Sequence, residues 1–295
     1  MEITASLVKE LRDKTGAGMM DCKKALQECD GDVARAVDWL REKGIAKAAK
    51  KAGRIAAEGL TRVLVSGNRA ALVEVNSETD FVAKNEQFIK LLDDTTKAIL
   101  DNNPADVDAA LQLTVNGQKL EDVIVSAIAT IGEKITLRRF VVVDKAESDA
   151  FGSYMHMGGK ISAVAVIKNS TDLDVAKDMA MQVASMSPQF ISQAHMDAEF
   201  IEHEKSIQME IIKNDESLAD KPEKVLEGIV RGRLSKSLQD ISLIDQVYFK
   251  DQDKKVSQFL KENNTEVVTF VRYAVGDGLE KKEDNFAEEV MNTSF

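Results

Sequence analysis

One short pattern occurs twice, and it limits the fold more than any other feature of the chain. Asn76-Ser77 followed by Val82-Ala83-Lys84 returns as Asn169-Ser170 followed by Val175-Ala176-Lys177, 93 positions later. The apolar segments just before these pairs, AALVEV at 70–75 and AVAVIK at 163–168, keep the same offset. A further match sets Thr136, Arg139, Phe140 and Val142 against Thr269, Arg272, Tyr273 and Val275, now 133 positions apart. Matches in one order at consistent offsets point to a duplicated unit, the second copy carrying 40 extra residues.

Periodicity fills in the elements. Residues 5–43 read as three short helices. The second carries Cys22, Ala25, Leu26 and Cys29, and the third Val33, Ala36, Val37 and Leu40, both at i, i+3, i+4, i+7. Gly31 suits a left-handed cap and Asp32 the start of the next helix. Residues 44–58 are rich in Ala and Lys with no clear apolar stripe, which predicts a solvated helix or hinge. Two strands, 60–66 and 69–76, flank the turn Ser66-Gly67-Asn68. Helical spacing follows at Phe88, Leu91, Leu92 and Thr95, and again from Leu120 to Ile131, ended by Gly132. KITLRRFVVV at 134–143 reads as a strand. The extra residues fall near 187–238, where Phe200, Ile201, Glu204, Ile207 and Ile211 face a second helical stripe starting at Val225. That predicts a helical hairpin, either a dimerisation arm or a pair packed on the core. Phe286 and Val290 stand four apart in a short terminal helix.

The predicted class is α+β. A three-helix domain spans 1–54, a first core subdomain 55–146, and a second 147–279 with the inserted hairpin. A C-terminal helical module covers 280–295.

Composition excludes several functions. The 295 residues are 44% hydrophobic and 30% charged, which is globular and allows two or three domains. No apolar run is long enough for a membrane span. The start, Met1 to Ser6, resembles neither a secretory nor a transit signal. Two cysteines make no disulfide framework, and a cytoplasmic location is expected. Net charge is −11, against the basic excess that direct nucleic-acid binding needs. Residues 1–54 carry +3 and the remainder −14. A basic module on an acidic body accounts for this, as does ordinary solvated surface.

Enzyme chemistry finds little support. Gly158-Gly159-Lys160 lacks the spacing of a phosphate loop, and Gly16-Ala17-Gly18 follows a helix instead of a strand. Cys22 and Cys29 lie on an apolar stripe, as buried thiols do. His156, His195 and His203 show no metal-ligand spacing. No cofactor or metal site is expected. Two segments break the packing pattern. Met19 continues the stripe of its helix, whereas Met20 is out of phase; it either lines a binding face or folds back over the core. At Ser77-Glu78-Thr79-Asp80-Phe81-Val82, Asp80 can cap a helix. The residues leave open whether Phe81 enters the core or projects as an apolar tip beside an anion.

LRDKTGAGMMDCKKAL (11–26) and EVNSETDFVAK (74–84) resemble the signatures of the bacterial elongation factor Ts family, in the right order and near the same separation. NFAEEVM at 285–291 is similar to that family as well. The first 40 residues also resemble a ubiquitin-associated domain, which leaves a protein-binding adaptor without exchange activity as the second reading. The family resemblance implies nucleotide exchange on the GTPase elongation factor Tu, with GDP, GTP and Mg²⁺ held by that partner and no covalent chemistry in this chain. It implies that Thr79, Asp80, Phe81 and Val82 disturb the partner's Mg²⁺ site, Phe81 as a wedge. Arg12, Met19, Met20 and Lys23 then correspond to contacts with the GTPase domain, and Ile131 and Gly132 to a contact beside the wedge. His156 and Phe249 correspond to contacts with another part of the partner. Phe286 and Val290 belong to a partner-binding helix.

Overall fold

In the computed structural model, which describes residues 3–218 and 221–280, Thr4 opens the first helix by accepting the Leu7 N–H at 3.3 Å. Three helices follow: α1 (Ala5–Thr15), α2 (Met19–Glu28) and α3 (Val33–Lys51). Their stripes meet in a small core of Val8, Leu11, Cys22, Ala25, Leu26, Cys29 and Ala36. Both cysteines are free and buried. The α2–α3 link uses two left-handed residues, Asp30 as well as Gly31, and Asp32 caps α3 through the Arg35 N–H.

The first repeat begins with a hairpin of β1 (Glu58–Ser66) and β2 (Arg69–Ser77), antiparallel from Glu58↔Ser77 to Ser66↔Arg69. Then come α4 (Asp80–Ala83), α5 (Glu86–Asn102), α6 (Val107–Leu111), the small pair β3 (Thr114–Val115) and β4 (Gln118–Lys119), α7 (Leu120–Ile131) and β5 (Thr136–Asp144). The sheet runs β1-β2-β5. Phe88, Leu92 and Ile99 of α5 and Leu120, Ile124 and Ile128 of α7 form its core with Val73 and Val75.

The second repeat has β6 (Ala150–His156), β7 (Ile161–Ile167), α8 (Leu173–Met186), α9 (Ala198–Lys213), α10 (Glu223–Asp240), β8 (Val247–Tyr248), β9 (Asp251–Lys255), α11 (Val256–Glu262) and β10 (Val267–Ala274). Its sheet runs β10-β7-β6. Each sheet thus places the second strand of its repeat in the centre. The third strands, β5 and β10, are the segments matched at the offset of 133. A glycine recurs with them. A Cβ on Gly59 would stand 2.2 Å from the Val75 carbonyl oxygen, and one on Gly152, 93 residues on, 1.7 Å from that of Ala176. At both positions the backbone packs too closely for any side chain.

The insertion forms a helical hairpin. Glu204 accepts from the Ser237 hydroxyl and Asp215 pairs with Arg233, so α9 and α10 run antiparallel. Only Ile212 and Leu238 of the two helices are buried, and Ile207, Met209, Ile211 and Val225 are exposed.

Contacts divide the chain into two units: residues 3–143 with 157–161 and 273–280, and residues 144–156 with 162–272. Among the described residues no helix is long and apolar enough to cross a membrane. The solvated helix expected from residue 44 is the end of α3, which runs to Lys51 with Ile45, Ala46, Lys47, Ala49 and Lys50 exposed, and one edge of it packs on α7. A Cβ on Gly44 would sit 3.4 Å from that of Ala129, Ala48 joins the core around α7, and Arg41 pairs with Asp122 at 2.7 Å. Small residues four apart let the helices approach without the large side chains that a hydropathy stripe requires.

Glu74, at the centre of β2, is fully buried. Its carboxylate accepts from Arg138 at 3.0 Å, Arg139 at 2.6 Å, Asn76 at 3.1 Å and the Gly276 N–H at 2.8 Å. It thereby joins β2, β5 and the segment after β10. Breaking a buried ion pair by deleting one partner leaves the other uncompensated. Glu74→Ala is therefore expected to cost about 3 kcal/mol and to lower the thermal unfolding midpoint; an unchanged midpoint would show that these arginines are satisfied by water.

Candidate functional site

The strand-to-helix junction after β2 is built to project one side chain. Ser77 ends the strand and donates its hydroxyl to the Thr79 carbonyl at 3.0 Å. Thr79 is extended and caps α4, its hydroxyl oxygen accepting the Val82 N–H at 3.4 Å. The sequence made Asp80 a candidate cap. It is instead the first helical residue, because only the preceding side chain reaches the N–H at the third position. Asp80 takes the Lys84 ammonium at 2.9 Å. Asn85 then starts α5, accepting the Gln87 and Phe88 N–H groups.

Val82 and Ala83 are buried and anchor the turn, while Phe81 between Asp80 and Val82 is 78% exposed. The core position that the residues alone left open for Phe81 is therefore excluded. The Lys84 ammonium stands 5.7 Å from the ring centroid, so one lysine serves both the Asp80 carboxylate and the Phe81 face. The hydrogen bond from Lys84 holds the Asp80 carboxyl below the usual carboxylate range.

A second segment braces this turn. Helix α7 ends at Gly132, whose φ of 91° reverses the chain. Glu133 comes next. Its carboxylate accepts from the Glu78 N–H at 3.1 Å, the Thr79 N–H at 3.0 Å and the Thr79 hydroxyl at 2.7 Å. In return Glu78 accepts the Lys134 N–H at 2.6 Å and is held by Arg54 at 3.3 Å. Ile131, partly buried, and Gly132, exposed, are thus joined to residues 79–82 through their neighbour Glu133. Glu133 carries no local sequence signal: it is one more acidic residue in an acidic chain, and its partners lie more than fifty positions away.

The remaining candidates form separate groups. Arg12, Met19, Met20 and Lys23 gather where α1 turns into α2, and all four are exposed. Met20 is 75% exposed and so does not fold back over the core. His156 ends β6, exposed, its Nδ1 3.2 Å from the Tyr154 hydroxyl. Phe249 follows β8, half-buried; its N–H donates to the buried Gln182 at 2.9 Å and its ring meets Tyr248 edge-on. Phe286 and Val290 lie outside the described residues.

Chemically, these groups offer contact surface. Among the described residues no cluster of His, Cys, Asp and Glu could hold a metal ion. Burial pushes the Cys22 thiol up, away from the reactive thiolate. A family model described as elongation factor TS matches residues 78–277, a span that opens within the Phe81 turn.

The Asp80–Lys84 pair carries a pH signature. A carboxyl lowered in the folded state stabilises the turn at neutral pH, and this contribution is lost as pH falls through the lowered value. NMR titration of the Asp80 side chain should give a midpoint below the ordinary one, returning toward it in Lys84→Met. A midpoint unmoved by that substitution would contradict the pairing.

Proposed function

The chain belongs to the elongation factor Ts family, and from this we propose that it is a guanine-nucleotide exchange factor for elongation factor Tu in translation elongation. It binds the GDP-loaded GTPase, disturbs the Mg²⁺ and phosphate site, lets GDP leave and is displaced when GTP rebinds. GDP, GTP and Mg²⁺ belong to the partner, and this chain performs no covalent chemistry.

The observation that carries the reading is the exposure of Phe81 on a turn whose next two residues are buried. A phenylalanine left in water loses the roughly 1.5–3 kcal/mol that burial would provide. A partner crevice supplies that burial, and the anchored turn prevents the ring from recovering it within its own core. Phe81 acts as the wedge, and Asp80 brings negative charge toward the partner's Mg²⁺ shell. Thr79 and Val82 hold the two in place. Ile131 and Gly132 extend this contact. Arg12, Met19, Met20 and Lys23 bind the GTPase domain from the three-helix module at 1–54. His156 and Phe249 contact a different part of the partner, and Phe286 and Val290 of the C-terminal module bind it as well. A body carrying −14 outside the first 54 residues suits a protein partner better than nucleic acid.

Exchange follows from linkage. A protein that binds the nucleotide-free GTPase more tightly than its GDP form must weaken GDP by the same ratio.

Phe81→Ala should slow the stimulated release of a fluorescent GDP analogue from elongation factor Tu by about tenfold or more, as the loss of about 2 kcal/mol of ring contact made in the state that releases GDP would do. Overall binding should fall less. Met20→Asp should show the reverse pattern, weaker binding with a smaller change in the rate at saturation. Release by Phe81→Ala at the unaltered rate would overturn the wedge. Binding by the unaltered protein with no acceleration at all would favour the adaptor.

A further inference from the structure

A wedge is effective only if it is in place before the partner arrives, and the structure assigns that task to Glu133. We propose that Glu133 is the positioning residue of the exchange reaction and that Glu78 is its reciprocal; the proposal rests on the exchange reading above. The two oxygens of Glu133 accept three donors from the turn, the N–H groups of Glu78 and Thr79 and the Thr79 hydroxyl. These donors sit in the irregular junction between β2 and α4, where no strand or helix partner is due to them. The Thr79 hydroxyl is shared: it donates to Glu133 and accepts from Val82. One carboxylate therefore sets the helix cap, and the cap sets the direction of Phe81. Glu78 closes the loop in the other direction by accepting the N–H of Lys134, next to Glu133.

The second repeat supplies a natural contrast. Its helix cap at the same offset is Asp172, and the N–H groups of Asp172, Asp174 and Val175 are taken by Ser170 and Asp172 themselves. An outside carboxylate, Asp149, reaches only as far as the Asn169 N–H at the start of that junction, and the cap itself closes with its own side chains. The first repeat instead uses a carboxylate from a segment 54 residues away from Thr79, and it is the first repeat that presents the exposed aromatic.

The test uses the full chain and four variants: Glu133→Ala, Glu133→Gln, Phe81→Ala and the double Phe81→Ala/Glu133→Ala. Two quantities are read, stimulated GDP release from the partner GTPase and backbone amide hydrogen exchange of the free protein. Glu133→Ala should reduce stimulated release by about tenfold and speed amide exchange at Glu78 and Thr79 by a similar factor, leaving the centre of β2 protected. Glu133→Gln should stay within about threefold of the unaltered protein, because its carbonyl still accepts the two N–H groups and its amide can donate to the Thr79 hydroxyl. The double variant should be no slower than Phe81→Ala, since Glu133 acts through that ring. The proposal is overturned by unaltered release in Glu133→Ala, by losses that multiply in the double variant, or by Gln being as harmful as Ala, which would mark a charge acting directly on the partner. Should the unaltered protein fail to stimulate release, the exchange reading falls. Amide exchange at Glu78 and Thr79 then still decides whether Glu133 holds the turn.

Discussion

A carboxylate shut away from water must find its hydrogen bonds inside the protein, and Glu74 finds four. It is fully buried in the central strand of the first sheet, where it draws in Arg138 and Arg139 from β5, Asn76 from its own strand and the Gly276 N–H from beyond β10. Arg139 also lies 4.1 Å from the ring centre of Tyr273, and burial raises the Tyr273 hydroxyl above its ordinary value. An ion pair of this kind adds little net stability over a well-packed apolar core, but it is intolerant of alternatives. A one-residue slip of β2 would turn the Glu74 carboxylate to the other face of the sheet, away from Arg138 and Arg139. The strand is thereby held in place three residues before it ends, and its end is where the exposed aromatic is built.

From that fixed strand the remainder of the site follows by short steps. Ser77 and Thr79 close the junction, Val82 and Ala83 anchor it, and Glu133 ties it to the end of α7. The outcome is an apolar ring in water on a backbone with few ways to retract it. In the proposed wedge role, binding needs little ordering of the turn, which keeps more of the interaction energy for the partner. The same device also separates the two repeats. Both copies keep the three-strand order, the close-packed glycine and a cap at the same offset. The second copy exposes Leu173 after its cap, and only the first combines an aromatic with a distant carboxylate.

Much of this architecture is legible in the residues, and the parts that are not have physical reasons. The paired strand segments stand out because Asn-Ser and Val-Ala-Lys recur beside them at fixed spacing, and the helices because their stripes are made of large apolar side chains. The packing of α3 on α7 is hidden because Gly44 and Ala48 barely register as apolar, although their smallness is what permits the contact. Asp80 and Thr79 are both good capping residues, so composition could not choose between them; the choice depends on which hydroxyl or carboxylate reaches the Val82 N–H. Phe81 is ambiguous for a related reason, since a four-residue helix has no periodicity to place it inside or out. Glu74 and Glu133 are invisible for opposite reasons. The first looks like the polar member of an alternating strand, and the second finds its partners only once α7 and β2 are side by side. The family resemblance reached Ile131 and Gly132, one residue short of the carboxylate that makes the connection.

The account stands or falls on linkage between this protein and GDP on one GTPase. The most direct measurement is the dissociation constant of GDP from elongation factor Tu as a function of the concentration of this protein, set beside the dissociation constant of this protein from the GDP-bound and nucleotide-free GTPase. The account predicts that each ligand weakens the other by one and the same large factor. Tight binding of this protein with an unchanged GDP affinity would contradict it.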